Sequence, residues 1–265
     1  ALITSTHKAL PGYSASALLL ARTTLLSAER LEQSFETTHT TSPAGAPLAS
    51  IDGVRALLET RGEALIGDLL SNIHRFKEMA QAEFALPIFL YPTDFPEGRF
   101  DPSKIVLRVQ QLGASGVEIE QDLQAKGIRV EMADRDTIVF LATIADSQAD
   151  FDSLADALIP ILKKRQEQRR ESATALSWSV VPQRATSMRD AYFAETEMVS
   201  AAQAVGRISA DLIAPYPPGV AVVAPGELLT QQIVEGLSAS RAAGVRIAYA
   251  TDSTLASYRV VSQTS

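Results

Sequence analysis

The chain has 265 residues, 46% of them hydrophobic, enough for a buried core in one large domain or two to three small ones. Its 24 basic residues against 31 acidic ones leave a net charge of −7, which argues against a dominant nucleic-acid surface. The absence of cysteine removes disulfides, thiolate metal sites and a cysteine nucleophile and fits a reducing cytoplasm, and three histidines (His7, His39, His74) argue against a histidine-rich metal site.

The opening stretch ALITSTHKAL (1–10) runs from apolar residues into hydroxyls, a histidine and a lysine. It lacks the charged-then-apolar pattern of a secretory signal, and no later apolar run reaches the roughly 18 residues of a membrane span. An apolar strand here would place Lys8 at its end, where active-site loops of α/β sheets collect. A desolvated lysine loses part of its preference for the charged form, so its amine becomes a nucleophile toward an aldehyde. Ser5 and Thr6 could donate hydrogen bonds to a neighbouring phosphate. The alternative is a solvated lysine near a chain end, and these four residues alone leave both open.

Residues 17–31 form a short apolar element, and the hydroxyl-, Gly- and Pro-rich stretch 34–47 predicts a loop. From Ser50 the apolar residues Val54, Leu57, Leu58, Leu65, Ile66, Leu69, Leu70, Ile73 and Phe76 recur at helical spacing, predicting a long amphipathic helix capped by Ser50 or Asp52 and weakened at Gly62. A Pro-rich connector follows at 86–102. Strands are predicted at 104–109, 128–132 and 137–144, with one helix after GASG (113–116) and another over about 150–170. This strand–helix–strand–strand–helix order describes a small α/β unit with helices on one face of its sheet. The basic run KKRQEQRR (163–170) reads as a solvated helix end and linker, where cations suit the helix dipole.

The last third predicts a helix near 199–211, a turn at PYPPG (215–219), a strand VAVVA (220–224), a turn PGE (225–227), a helix over 228–240 and a strand at 246–250. Prolines that fix φ and glycines that permit tight bends make both turns rigid. The expected boundaries are near residues 82 and 172.

Four separated segments, in order, resemble the C-terminal half of the Orn/Lys/Arg decarboxylase family: STHKALPGYS from Ser5, HTTSPAGAPLASID (39–52), the stretch 101–146, and AVGRISADLIAPYPPGVAVVAPGE (204–227). The resemblance implies an α/β fold of the aspartate-aminotransferase type (fold type I). Residues 1–82 would be the C-terminal part of a pyridoxal-phosphate-binding large domain, 83–172 a small α/β domain and 173–265 a further small C-terminal α/β domain. It implies pyridoxal 5'-phosphate as cofactor and no metal, with Lys8 as the Schiff-base lysine, Ser5 and His7 at the cofactor phosphate, and Thr40 reaching the phosphate in a neighbouring subunit. The bland reading of Thr40 is a hydroxyl closing a Ser/Thr turn.

The implied reaction is decarboxylation of arginine, lysine or ornithine in the cytoplasm, by a homodimer or higher oligomer without nucleic-acid or membrane partners. Selectivity for a basic substrate needs an acidic group at its distal cation. Glu195 and Glu197 lie where the family places acidic residues near substrate, and Glu227 is a further candidate; each is equally readable as a solvated glutamate. After Lys8 the family usually carries a Leu followed by Ser/Thr-Gln, where this chain has Tyr13, Ser14 and Ala15, a change in the site wall. The family's ring-stacking residues and the Asp that pairs with the pyridine nitrogen precede the lysine. The expectation is therefore a C-terminal portion, inactive without the N-terminal half of the same enzyme. Another reaction of the same fold type (aminotransfer or elimination) and a non-catalytic assembly subunit are the competing readings.

Overall fold

Apolar residues at helical spacing carry one long helix down the first part of the chain, and its bounds show what local sequence could not. The computed structural model describes residues 1–169, 180–216 and 219–263. A hairpin of strands β1 (Leu2–Ser5) and β2 (Ala17–Leu20) leads into helices α1 (Ala28–Thr38) and α2 (Gly45–Gln81). Helix α2 begins before Ser50: its N-cap is Ala44, which offers no side-chain cap, and the Ser50 hydroxyl donates back to the Pro47 carbonyl at 2.7 Å. Asp52 instead accepts from Arg55. Gly62 is buried inside the uninterrupted helix. Residues 34–38, read as loop, are the end of α1. The hydroxyls of Ser34, Thr37 and Thr38 donate to carbonyls one turn back, so they follow the helix rather than ending it.

Contacts divide the chain into two compact units, residues 1–107 with 139–163, and 108–138 with 164–265. In the first, Phe76 of α2 is fully buried and meets Phe89 edge-on at 5.9 Å and Phe151 at 6.2 Å. Phe151 belongs to α4 (Gln148–Lys164). Lys77, only 4% exposed, donates its ammonium to the Leu90 carbonyl at 3.0 Å and lies over the rings of Tyr91 and Phe100. Burial lowers its pKa. One side chain thus fastens the Pro-rich connector to α2.

A three-stranded sheet takes the order β3 (Lys104–Arg108), β5 (Thr137–Leu141), β4 (Met132–Ala133). The edge strand β3 and the central strand β5 alternate buried and half-buried residues, as their sequences predict. The strand expected at 128–132 is only Met132–Ala133, because Ile128 is drawn into the end of α3 (Gly116–Gln124), its N–H donating to the Leu123 carbonyl.

In the second unit the largest departure is at 196–211. After a short helix, α5 (Met188–Phe193), there is a strand, β6 (Thr196–Ser200), and a single turn, α6 (Ala201–Ala204), instead of the expected helix. β6 pairs antiparallel with β9 (Ser257–Val261), Thr196 opposite Val261 and Ser200 opposite Ser257. A second pair joins β7 (Ala214–Tyr216) and β8 (Arg246–Ala248), Tyr216 opposite Arg246. Val222 and Val223 of the expected strand 220–224 are buried, with one bridge from Val223 to Ile213 and no strand. They pack with Ile233 and Leu237 of α7 (Gln231–Ala242), Ile247, Tyr258 and Val260 in a continuous core. Thr230 caps α7, its hydroxyl accepting from the Ile233 N–H. Pro217 and Pro218 of the expected turn, and Arg170 of the basic run, lie outside the described residues.

Candidate active site

The register of β1 and β2, with Ser5 opposite Ala17, brings the two ends of loop 6–16 together. Thr6 donates its N–H to the Ser16 carbonyl at 3.1 Å, and Gly12 donates to the Thr6 carbonyl at 2.7 Å. The Thr6 side chain has no exposed surface, and its hydroxyl lies 2.5 Å from that of Ser16. Ser16 donates its own hydroxyl to the Tyr13 carbonyl, so Thr6 is the donor of the pair. A Cβ at Gly12 would stand 2.3 Å from the Thr6 carbonyl oxygen, and the loop closes only because that position is glycine. His7 Nδ1 lies 2.7 Å from the Ser16 carbonyl and 3.1 Å from the Ser5 hydroxyl. The Ser16 N–H also points at Nδ1, at 3.1 Å, so the Ser16 carbonyl and N–H call for opposite tautomers; in either one these contacts all fall on Nδ1 and leave Nε2 for another partner.

These bonds occupy the inner polar atoms of the loop and leave Lys8 outside them. Lys8 is exposed, and among the described residues its amine makes no hydrogen bond or ion pair. An amine free of competing partners, with the Ser5 hydroxyl and the His7 ring on the same short loop, fits a ligand that carries an aldehyde and a phosphate. The loop is tied to α2 by the Tyr13 N–H, which donates to the Ser50 hydroxyl at 3.0 Å. A cleft of about 470 Å³ opens there between Pro11 and Tyr13 on the loop and Ala49, Gly53, Val54 and Leu57 on the helix. Tyr13, which departs from the resemblance, forms part of its wall.

Thr40 stands on the exposed loop between α1 and α2, where its hydroxyl accepts from the Ser42 N–H at 3.2 Å, a local turn. Among the described residues no hydrogen bond joins it to the lysine loop. His39 stacks on Phe35 at 4.6 Å, and His74 lies on the surface beside Glu78.

The candidate acidic residues belong to the second unit. Glu195 is exposed, with its carbonyl accepting from the Ser262 N–H. Glu197 is paired: Arg207 donates to its carboxylate at 2.6 Å and to the Val261 carbonyl at 2.8 Å. That hydrogen bond holds the Glu197 pKa below the ordinary carboxylate range. The Glu227 carboxylate accepts from the Ala224 N–H at 2.7 Å and closes the PGE turn. Among the described residues no three His, Asp or Glu side chains gather as a metal site. Sequence reasoning passed over Gly12, Ser16 and Arg207, and read Ser50 only as a helix cap. Of the three passed over, only Gly12, next to Pro11, carried a local signal, that of a tight turn.

Residues 166–247 match the profile of the Orn/Lys/Arg decarboxylase C-terminal domain. Along 98% of its length the chain is 31% identical to an arginine decarboxylase of Bacillus subtilis and 30% identical to one of Halalkalibacterium halodurans. It covers 54% of each, so it spans about half the length of these relatives. Among solved structures, the constitutive lysine decarboxylase of Escherichia coli superposes with a TM-score of 0.72 at 19% identity, over 98% of this chain and 49% of that one. The lysine decarboxylase of Francisella novicida gives 0.75 at 17% identity, over 98% and 48%. The chain has the mixed α/β fold seen in half of each of those structures, as the sequence predicts. No helix of the described residues is long and apolar enough to cross a membrane.

Proposed function

We propose that the chain is the C-terminal portion of a cytoplasmic, pyridoxal-phosphate-dependent decarboxylase acting on arginine, lysine or ornithine. The observation that carries this reading is the near-complete alignment with arginine decarboxylases, together with a free lysine amine at the tip of a closed loop in the stretch STHK. Pyridoxal phosphate, when bound, supplies the electron sink for the pair released as carbon dioxide leaves.

The chain's own residues have the following work. Lys8 offers its amine to the cofactor aldehyde. Ser5 donates its hydroxyl to the phosphate, and His7 offers the ring nitrogen that the loop does not use. Thr40 reaches the phosphate of a neighbouring subunit by exchanging its local turn for that contact. Glu195 takes the distal cation of the substrate. Glu197 does so only on parting from Arg207, so Glu195 is the more available of the two.

The reading takes the rest of the enzyme as a partner, and the chain by itself as inactive. Leu2, Ile3, Leu20 and Leu25, all more than half exposed, mark the surface where that partner packs. Homodimers or larger assemblies, and a division of this chain near residues 82 and 172, belong to the same proposal.

Borohydride reduction after adding pyridoxal phosphate to the enzyme containing the remaining half, followed by peptide mapping, tests the site. The expected label is on Lys8, with stoichiometric carbon dioxide from one of the three amino acids. No label on Lys8 in that sample ends the decarboxylase reading, and label without carbon dioxide turns it toward aminotransfer or elimination.

A further inference from the structure

The second unit holds a cavity of about 250 Å³ that the lysine loop has no part in, lined by α3, the segment around β4, and the β7–β8 pair. Val117, Met132, Ala133 and Val245 give it apolar walls beside the ring of Tyr216. Five charged side chains line it: Glu120, Glu131, Asp134, Arg135 and Arg246.

Two of the five are committed to the fold. Asp134 accepts the N–H groups of Asp136 and Thr137 at 2.8 and 2.6 Å, and Arg135 donates to the Asp136 carboxylate at 3.0 Å. The other three are not. Arg246 lies over the Tyr216 ring at 5.0 Å, held there by the register that sets the two residues opposite each other, and no carboxylate pairs with it among the described residues. The carboxylates of Glu120, half-buried, and of Glu131, exposed, likewise have neither hydrogen bond nor ion pair among the described residues.

The cavity therefore presents one uncommitted cation and two uncommitted anions around apolar walls. A dicarboxylate would meet Glu120 and Glu131 with like charge, and a simple diamine would leave Arg246 unmatched. The complement is a small ligand with one carboxylate, two cationic groups and an aliphatic stem. We propose that this cavity binds a basic amino acid, with its carboxylate at Arg246, its two cations at Glu120 and Glu131, and its stem along Val117, Met132 and Val245. The volume suits a ligand of that size rather than a nucleotide or a drug-sized molecule. The inference stands independently of the reaction proposed for Lys8.

The test is equilibrium dialysis of cofactor-free protein with radiolabelled L-arginine, with agmatine (no carboxylate) and L-citrulline (no distal charge) as competitors. Saturable binding at one site is expected, with each competitor about tenfold weaker, the size of one charge-assisted hydrogen bond. Glu120→Gln should weaken arginine about tenfold, and Arg246→Gln should remove its advantage over agmatine. Lys8→Ala should leave the affinity unchanged. No saturable binding, or an affinity that neither Glu120→Gln nor Arg246→Gln alters, overturns the proposal. Binding lost on Lys8→Ala also overturns it, by placing the ligand at the lysine loop, and leaves the reading of that loop intact.

Discussion

In the hairpin that carries the lysine loop, Leu2, Ile3, Leu19 and Leu20 keep between 43% and 71% of their surface exposed, and α1 buries none of its residues. In the C-terminal unit, twelve residues from Ala204 to Val260 form one core in which none exceeds 8% exposure. The two regions are built on different terms. The hairpin is held by its ladder and by the hydrogen bonds among Thr6, Gly12 and Ser16, a local and polar set. A two-stranded hairpin without a covered face is marginal in water, so its shape depends on what packs against it. The C-terminal unit carries its own hydrophobic term and needs no such help. Chemistry is thus proposed on the region least able to stabilise itself, and binding on the region best able to.

The sharpest way to break this comparison is at Lys8. Lys8→Ala should abolish the reduced cofactor label completely, while the thermal unfolding of the chain stays where it was, because the amine has no partner to lose. A shifted unfolding transition would show that the loop depends on the lysine. Next, truncation should separate the two regions by stability. Leu237→Ala, in the closed core, should cost about 2–5 kcal/mol in urea unfolding, whereas the exposed Leu25→Ala should stay within about 0.5 kcal/mol. Equal costs would mean that the hairpin region is covered in solution.

A third effect is confined to alkaline pH. Tyr258 is 2% exposed, its hydroxyl has no hydrogen-bond partner among the described residues, and burial pushes its pKa up to about 12. The folded state then keeps a phenol proton that the unfolded chain releases near pH ~10. Stability is full below that pH and falls by about 2–3 kcal/mol as pH rises to about 12. Tyr258→Phe should remove this loss at little cost near neutrality, since no hydrogen bond disappears with the hydroxyl. Superimposable alkaline unfolding curves for the two proteins would show that the phenol finds a partner.

The smallest effect is at Glu197. Its pKa is depressed by Arg207, so the pair contributes above the ordinary carboxylate pKa and loses that contribution as pH falls through the depressed value. Glu197→Gln should flatten this acid limb slightly and barely move the midpoint at neutral pH, because the Glu197 side chain is 47% exposed.

Much of the architecture was legible along the chain. The apolar spacing from Val54 to Phe76 marks α2, and alternation marks β3 and β5, because each face of those elements meets one environment throughout. The start of α2 was not legible, because Ala44 caps without a side chain. The end of α1 was hidden because Ser34, Thr37 and Thr38 bond back into their own helix. β6 escaped for a different reason. TEMVS has no alternation, four of its five residues being exposed, and it is a strand only because β9 lies beside it. At the candidate site the residue types of Ser5, His7 and Lys8 suggested their chemistry. Which hydroxyl holds the loop shut, and that Arg207 already engages Glu197, depended on residues 10 positions away in each case.

By itself, the sequence determined the α/β class, the family resemblance and the periodic helices, since these follow from residue type and spacing along a continuous segment. Only the tertiary structure decided which strands pair, that Thr6 and Ser16 close the lysine loop, and that Glu120, Glu131 and Arg246 line one cavity. Each of these joins residues from separate segments, and a side chain's partner depends on what the folded chain brings beside it rather than on its neighbours in sequence.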